Sequence, residues 1–314
     1  MSGRATPNLL ERLENLYKLS EERKSRARAR MERDKSEKWC LGILGLKTNI
    51  VEYQIKDNIK FRKVEEPPGE LDLLSALKDK TLIGAIGRYS ARINYELVFD
   101  RRRGSEGNKI AALAWNAISS LRVISQADFL VPIVANRSWS VISGSPENSC
   151  LAALLEDIPK AFKFGGPVII DKLHFDWVNR NLDEFSIQMN DARFEMAIQA
   201  LTEHQQQSSF RLSTAALWSG IEALFGINTE LRFRLSSVVS SYLEERGLNR
   251  ISLYNDFKHQ YDVRSKAVHG STISDEELSN HIIWTRSLLA RIIIKIVEQK
   301  NFPTAHEFEK FLFT

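Results

Sequence analysis

Cysteine is nearly absent, with only Cys40 and Cys150 in 314 residues. The two are far apart and neither belongs to a Cys-x-x-Cys pair, which excludes a disulfide framework and the ligand spacing of a zinc cluster. So little cysteine fits a reducing compartment, and a cytoplasmic location is expected. The opening Met1-Ser2-Gly3-Arg4-Ala5-Thr6-Pro7 lacks the apolar stretch of a signal peptide. Long hydrophobic runs are missing as well. The most apolar late stretch, residues 288–297, is broken by Arg291 and Lys295, and a membrane helix needs ~18 uninterrupted apolar residues. No membrane partner is expected. Gly165-Gly166-Pro167 is not followed by the Gly-Lys-Ser/Thr of a phosphate-binding loop, and no internal repeat is visible. No cofactor and no metal are expected.

What remains is an ordinary globular composition, 43% hydrophobic and 27% charged, long enough for one large domain or two ordinary ones. A net charge of +4 permits an anionic partner without demanding one. The fold class expected is α+β, mainly α, in three parts: a charged helical arm over 1–38, a mixed α/β domain of unknown role over 39–181, and a helical bundle over 182–314.

In the arm, Leu9, Leu13, Leu16 and Leu19 recur at helical spacing. Charge then takes over, and the pattern predicts a solvated helix laced with i,i+4 pairs or a partly disordered tail. The competing reading lets Arg23, Arg26, Arg28, Arg30 and Arg33 meet RNA phosphates. Residues 48–64 alternate around Asp57-Asn58 and predict a strand or a hairpin. A short helix over 70–78 follows the break at Pro67-Pro68-Gly69. Residues 82–99 read ambiguously: Tyr89, Ile93, Tyr95, Leu97 and Phe99 suit a strand, and Gly84 and Gly87 weigh against a long stable helix. Arg101 to Gly107 reads as an exposed loop, 108–125 as an amphipathic helix and 150–162 as another helix.

The C-terminal third predicts helices over 191–205, 211–225, 231–245 and 253–269. Gly226 and Gly270 stand at stop positions, and Ser274-Asp275-Glu276-Glu277 opens a last long helix. Apolar faces joined by short connections bury only against one another, which makes a bundle.

One stretch there carries chemistry: Tyr261-Asp262-Val263-Arg264-Ser265-Lys266-Ala267-Val268-His269-Gly270. Arg264 is a permanent cation able to hold a phosphate bidentately, and His269 can exchange a proton near neutral pH. Those are the tools for cutting RNA without a metal: a proton shuttle for the 2′-hydroxyl and a clamp for developing phosphate charge. Five residues of straight helix turn the two side chains about 140° apart. Either the segment bends, or the pair serves a cleft shared by two chains.

This stretch resembles the Arg-x(4–6)-His motif of HEPN domains, and Arg264 to Gly270 looks like the Apea-like branch. Residues 216–225, Ala-Leu-Trp-Ser-Gly-Ile-Glu-Ala-Leu-Phe, are similar to that branch's helix with an acidic residue in an apolar setting, here Glu222. Residues 231–239 match its linking helix in character. The resemblance covers residues 182–314. It implies a metal-independent endoribonuclease with a composite site across a homodimer and RNA as the partner. It also implies a role as toxin or anti-phage effector, with an antitoxin or other defence-system protein as a regulating partner.

In that reading His269 transfers protons, Arg264 binds the scissile phosphate, Glu222 orients Arg264 or its neighbour, and Ser265 and Lys266 support phosphate binding. Asp262 reads as a helical salt-bridge partner. The chain departs from the common pattern of Asn, Asp or His directly after the arginine by carrying Ser265. Two alternatives stay open: a non-catalytic module binding RNA or a nucleotide, and a dimeric scaffold.

Overall fold

Among the described residues six strands in the first half of the chain form one antiparallel sheet, whose central strands are mostly apolar and buried along nearly their whole length. The computed structural model describes residues 9–33, 38–156, 168–227 and 229–313. The strands are β1 (Lys38–Leu44), β2 (Glu52–Lys56), β3 (Ile59–Lys63), β4 (Ile93–Asp100), β5 (Leu130–Ala135) and β6 (Ala152–Leu154). They lie in the order β2-β3-β4-β1-β5-β6. Every neighbouring pair is antiparallel. The fold is mixed α+β.

Two compact units divide the chain: Met1–Ala114 with Phe129–Asp157, and Trp115–Asp128 with Ile158–Thr314. The sheet lies in the first. With it go α1 (Leu9–Arg33), α2 (Glu70–Ala76) and α3 (Ile83–Ser90). The long α4 (Gly104–Ser125) contains the boundary, between Ala114 and Trp115.

In the first unit the apolar core gathers Leu44, Leu73, Ile86, Ile93, Trp139 and Cys150. Two fully buried carboxylates are satisfied by donors, as burial of charge demands. Glu96 accepts from Arg62 Nε (2.7 Å), Ser138 Oγ (2.6 Å) and the Trp139 amide (2.7 Å). Asp72 accepts from Ser20 Oγ (2.6 Å) and the Gly69 amide (2.9 Å), and pairs with Arg23 at 3.0 Å. Both cysteines are buried, and burial pushes the Cys150 thiol up to about 12, far from a reactive thiolate.

The arm is docked rather than solvated. Besides Ser20 and Arg23, Arg26 pairs with Glu66 at 2.6 Å and Arg30 with Glu65 at 2.7 Å. Ala27 is buried against Gly144, where a Cβ would stand 2.6 Å from the Arg28 amide nitrogen. Counting i,i+4 neighbours could not reveal carboxylates some forty residues away. Arg23, Arg26 and Arg30 therefore have protein partners in place of the RNA phosphates considered from sequence. Arg28 is exposed, and the Arg33 side chain lies outside the described residues.

Other expectations shift. The 48–64 hairpin is β2–β3, turning at Asp57-Asn58. Residues 82–99 split into α3 and β4, so Tyr89 lies on a helix. The exposed loop shrinks to residues 101–103, because α4 starts at Gly104. Residues 152–154 are strand β6, not helix, and the remainder of that expected helix, from 157 on, lies outside the described residues, as does the Gly165-Gly166-Pro167 turn.

The second unit is helical: α5 (Lys172–Gln188), α6 (Ala192–Glu203), α7 (Phe210–Phe225), α8 (Leu231–Leu243), α9 (Leu248–Val268), α10 (Asp275–Gln299) and α11 (Ala305–Lys310). The expected start near Leu182 misses α5, which buries Phe175, Trp177, Val178, Leu182 and Phe185, with the Trp177 indole donating to Glu298 at 2.8 Å. Asp171, Asp191, Ser209, Ser274 and Thr304 cap helices with side-chain oxygens. Among the described residues no helix is long and apolar enough to cross a membrane.

Candidate functional site

α7 carries its apolar stripe, Leu217, Trp218, Ile221, Leu224 and Phe225, into the core and stops at Gly226, whose φ of 64° is the left-handed conformation of a C-cap. Glu222 stands at the edge of that stripe, half-buried. Opposite it on α9, Val263 and Ala267 point into the core, and Arg264 flanks them. Arg264 Nη2 donates to Glu222 Oε1 at 3.0 Å, with both side chains largely shielded, at 20% and 23% exposure. The guanidinium carbon lies 5.6 Å from the centre of the Tyr261 ring, one turn back on the same helix. Arg264 Nε is buried without a hydrogen-bond partner among the described residues.

Burial pushes the Glu222 carboxyl above its ordinary range, and the Arg264 charge pulls it back. The Tyr261 phenol is raised by the same desolvation. Arg264 is thus held by one carboxylate and one aromatic face, and part of its charge is already compensated.

His269 sits at the C-cap of α9 with an exposed side chain, its amide donating to the Ser265 carbonyl at 3.0 Å. Gly270 follows with φ 78°, and the Ser271 amide closes back on the Lys266 carbonyl at 3.0 Å. That is a Schellman closure, with His269 fixed at the point where the helix reverses. Arg211, at the second position of α7, adds a clamp. Its Nη1 donates to the carbonyls of Ala267 (2.7 Å) and Lys266 (3.3 Å), and its Nη2 to that of Ser271 (2.7 Å).

Of the residues singled out from sequence, Glu222 and Arg264 are brought into contact. His269 is held at the end of the helix, apart from that pair. Ser265 is half-buried and Lys266 exposed. Their carbonyls serve the cap. Asp262 forms a two-point ion pair with Arg232 at 2.7 and 2.8 Å, which ties α8 to α9. No local sequence signal marks Arg211, whose partners lie 55 to 60 residues downstream.

The surroundings discriminate among the six histidines. His204 and His281 are buried, and desolvation pulls them down to about 3 and about 4, so both stay neutral at physiological pH. In His281 both ring nitrogens are engaged: Nε2 receives the Trp218 indole N–H at 2.9 Å, and Nδ1 lies 2.6 Å from Gln260 Oε1. His174 is committed to its own capping residue, Asp171, at 2.6 Å. Only His259, His269 and His306 are exposed. Among these, His269 alone has an arginine four to six residues upstream.

The buried imidazole has a consequence for stability. Folding lowers His281 from 6.5 to about 4, so the unfolded chain binds its proton more readily. Its contribution is therefore complete above pH 6.5 and is lost as pH falls towards 4. The expected loss is about 3 kcal/mol. Denaturant unfolding of the wild type and His281→Asn at pH 7 and pH 4 measures it, and equal pH dependence in the two proteins would rule it out.

No family model, no curated protein and no solved structure matches this chain. Functional assignment therefore rests on the residues themselves.

Proposed function

We propose that this chain is a metal-independent endoribonuclease whose site is completed by a second copy of itself. The observation carrying this reading is an exposed imidazole carried on the closed cap of α9, one and a half turns from an arginine pre-oriented by Glu222. In the reaction, one neutral imidazole takes the proton of a ribose 2′-hydroxyl, and that oxygen attacks the adjacent phosphorus. The bond to the 5′-oxygen breaks, and the leaving oxygen takes a proton from the protonated imidazole of the other copy. Arg264 stabilises the charge that builds on the phosphate oxygens. The products are a 2′,3′-cyclic phosphate and a 5′-hydroxyl.

A two-fold arrangement supplies both the base and the acid, and removes the difficulty that Arg264 and His269 diverge along one helix. Within this reading the protein acts as a toxin or anti-phage effector restrained by a partner, and its induced expression arrests cell growth unless His269 is replaced.

The Glu222–Arg264 ion pair favours one second reading. A guanidinium whose charge is already partly compensated by a carboxylate suits retention of RNA without cleavage, in a binding module. Incubating the full chain with RNA in excess chelator decides between them. Cleavage that persists, with cyclic phosphate ends, is the expected result. Binding without any cleavage supports the module, and cleavage abolished by the chelator rejects the metal-free route.

A further inference from the structure

We propose that Arg211 is the positioning residue for His269, holding the imidazole where the reaction needs it. Three carbonyls receive its guanidinium, and they flank the histidine on both sides: Lys266 and Ala267 before it, Ser271 after it. The first two belong to the last turn of α9, whose carbonyls have no amide of their own helix to accept from. Ser271 lies beyond the reversal at Gly270. The loop from Lys266 to Ser271 is closed twice, by its own 3.0 Å backbone bond and by a side chain from another helix.

Three properties fit a guanidinium to this task. Its fork reaches several carbonyls in one plane, which a lysine ammonium does not reproduce. It keeps its proton at every working pH, so the clamp holds while the imidazole it positions cycles between charged and neutral. Its charge also lies at the negative end of the α9 dipole, where a cation is favoured. Arg211 is itself anchored in the first turn of α7, which Ser209 caps by accepting from the Leu212 amide at 3.3 Å. The same helix carries Glu222 eleven residues on, so α7 supplies one anchor to each half of the motif: Arg211 to His269, Glu222 to Arg264.

Arg211 does not need to touch RNA for this role. The inference rests on the ribonuclease reading for its effect on turnover, and on the cap geometry alone for its effect on the histidine. The test uses the full chain and the variants Arg211→Ala and Arg211→Lys. Steady-state RNA cleavage is measured alongside the NMR signals of the His269 ring and the hydrogen exchange of the Ser271 amide.

Arg211→Ala is expected to lower kcat by about 10- to 100-fold with KM unchanged, the scale set by small displacements of a reacting group. The His269 ring signal shifts, and the Ser271 amide exchanges faster. Arg211→Lys, which keeps the charge, recovers part of kcat and keeps the fold if the alanine variant does not. An alanine variant with wild-type kcat and an unmoved ring signal would overturn the inference and leave the nuclease reading intact. A raised KM with unchanged kcat would also overturn it, since that marks direct substrate contact. Should the wild type itself fail to cleave, the nuclease reading falls, and the ring signal and amide exchange decide whether Arg211 holds His269.

Discussion

Replacing His269 by alanine is expected to lower RNA cleavage by about 10²- to 10⁴-fold while the protein stays folded. The side chain is exposed, and the cap is closed by backbone groups and by Arg211, so its removal opens no cavity. A surface change of this kind shifts stability by no more than ~0.5 kcal/mol. Arg264 requires more care. Arg264→Ala also strands Glu222, a largely shielded carboxylate that burial already pushes towards protonation. The cleaner variant is Arg264→Lys, which keeps a positive charge near Glu222 but loses the planar fork. It should lose most of the activity and little stability.

His259→Ala is the decisive control, because His259 is exposed and also lies five residues from Arg264, on the upstream side. Single-turnover cleavage by His269→Ala, Arg264→Lys and His259→Ala separates the cases. If His259→Ala is inactive and His269→Ala is not, the proton-transfer role belongs to His259, and the motif reading fails. If all three cleave like the wild type, neither histidine is the shuttle.

The second large effect is structural. Trp218→Ala is expected to destabilise the chain by about 3–5 kcal/mol, the usual range for emptying a buried aromatic site. Trp218 is fully buried on α7 and meets Phe257 and Tyr261 of α9 edge-to-face, with ring centres 5.1 and 5.4 Å apart. Its indole N–H is the donor to His281 on α10, so one side chain joins three helices. Truncation leaves both a void and a buried nitrogen without its donor, which places the loss towards the upper end of the range.

Trp218→Phe separates most of the two contributions, because it keeps an aromatic ring and most of the volume while removing the N–H donor, at about 1–3 kcal/mol. Denaturant unfolding of both variants measures this. A loss below about 1 kcal/mol for the alanine variant would show that the α7–α9–α10 junction does not depend on Trp218. The same junction supports the site, since Tyr261 and Arg264 ride on α9 one turn apart.

Local signals were the legible part of this sequence. Gly226 and Gly270 at helix stops, Ser274 at a helix start and Asp57-Asn58 at a hairpin turn are each decided by the conformations a few neighbouring residues allow. The helix containing Arg264 was readable for the same reason. Failures cluster where a segment's own pattern was ambiguous and a distant partner decided. Ala152–Leu154 became a strand because β5 offered it a ladder. Residues 82–99 divided because Ile86 and Tyr89 pack as one helix face in the core, whereas Ile93 to Asp100 pairs with β1 and β3. Of the site, Arg264, His269 and Glu222 could be named from sequence, but Arg211 could not.

The sequence by itself determined the mixed class, the helical C-terminal portion and the identity of a titratable ring five residues after a fixed cation, because these depend on side-chain chemistry and short-range backbone preference. Tertiary structure alone decided that the arginine-rich arm is docked on Asp72, Glu65 and Glu66, that Glu222 meets Arg264 at 3.0 Å, and that Arg211 grips the carbonyls around His269. Each of these joins residues tens of positions apart, and a charge or a hydrogen bond acts only over a few ångströms. Which groups come that close is fixed by how the helices and strands pack, and the order of residues does not record it.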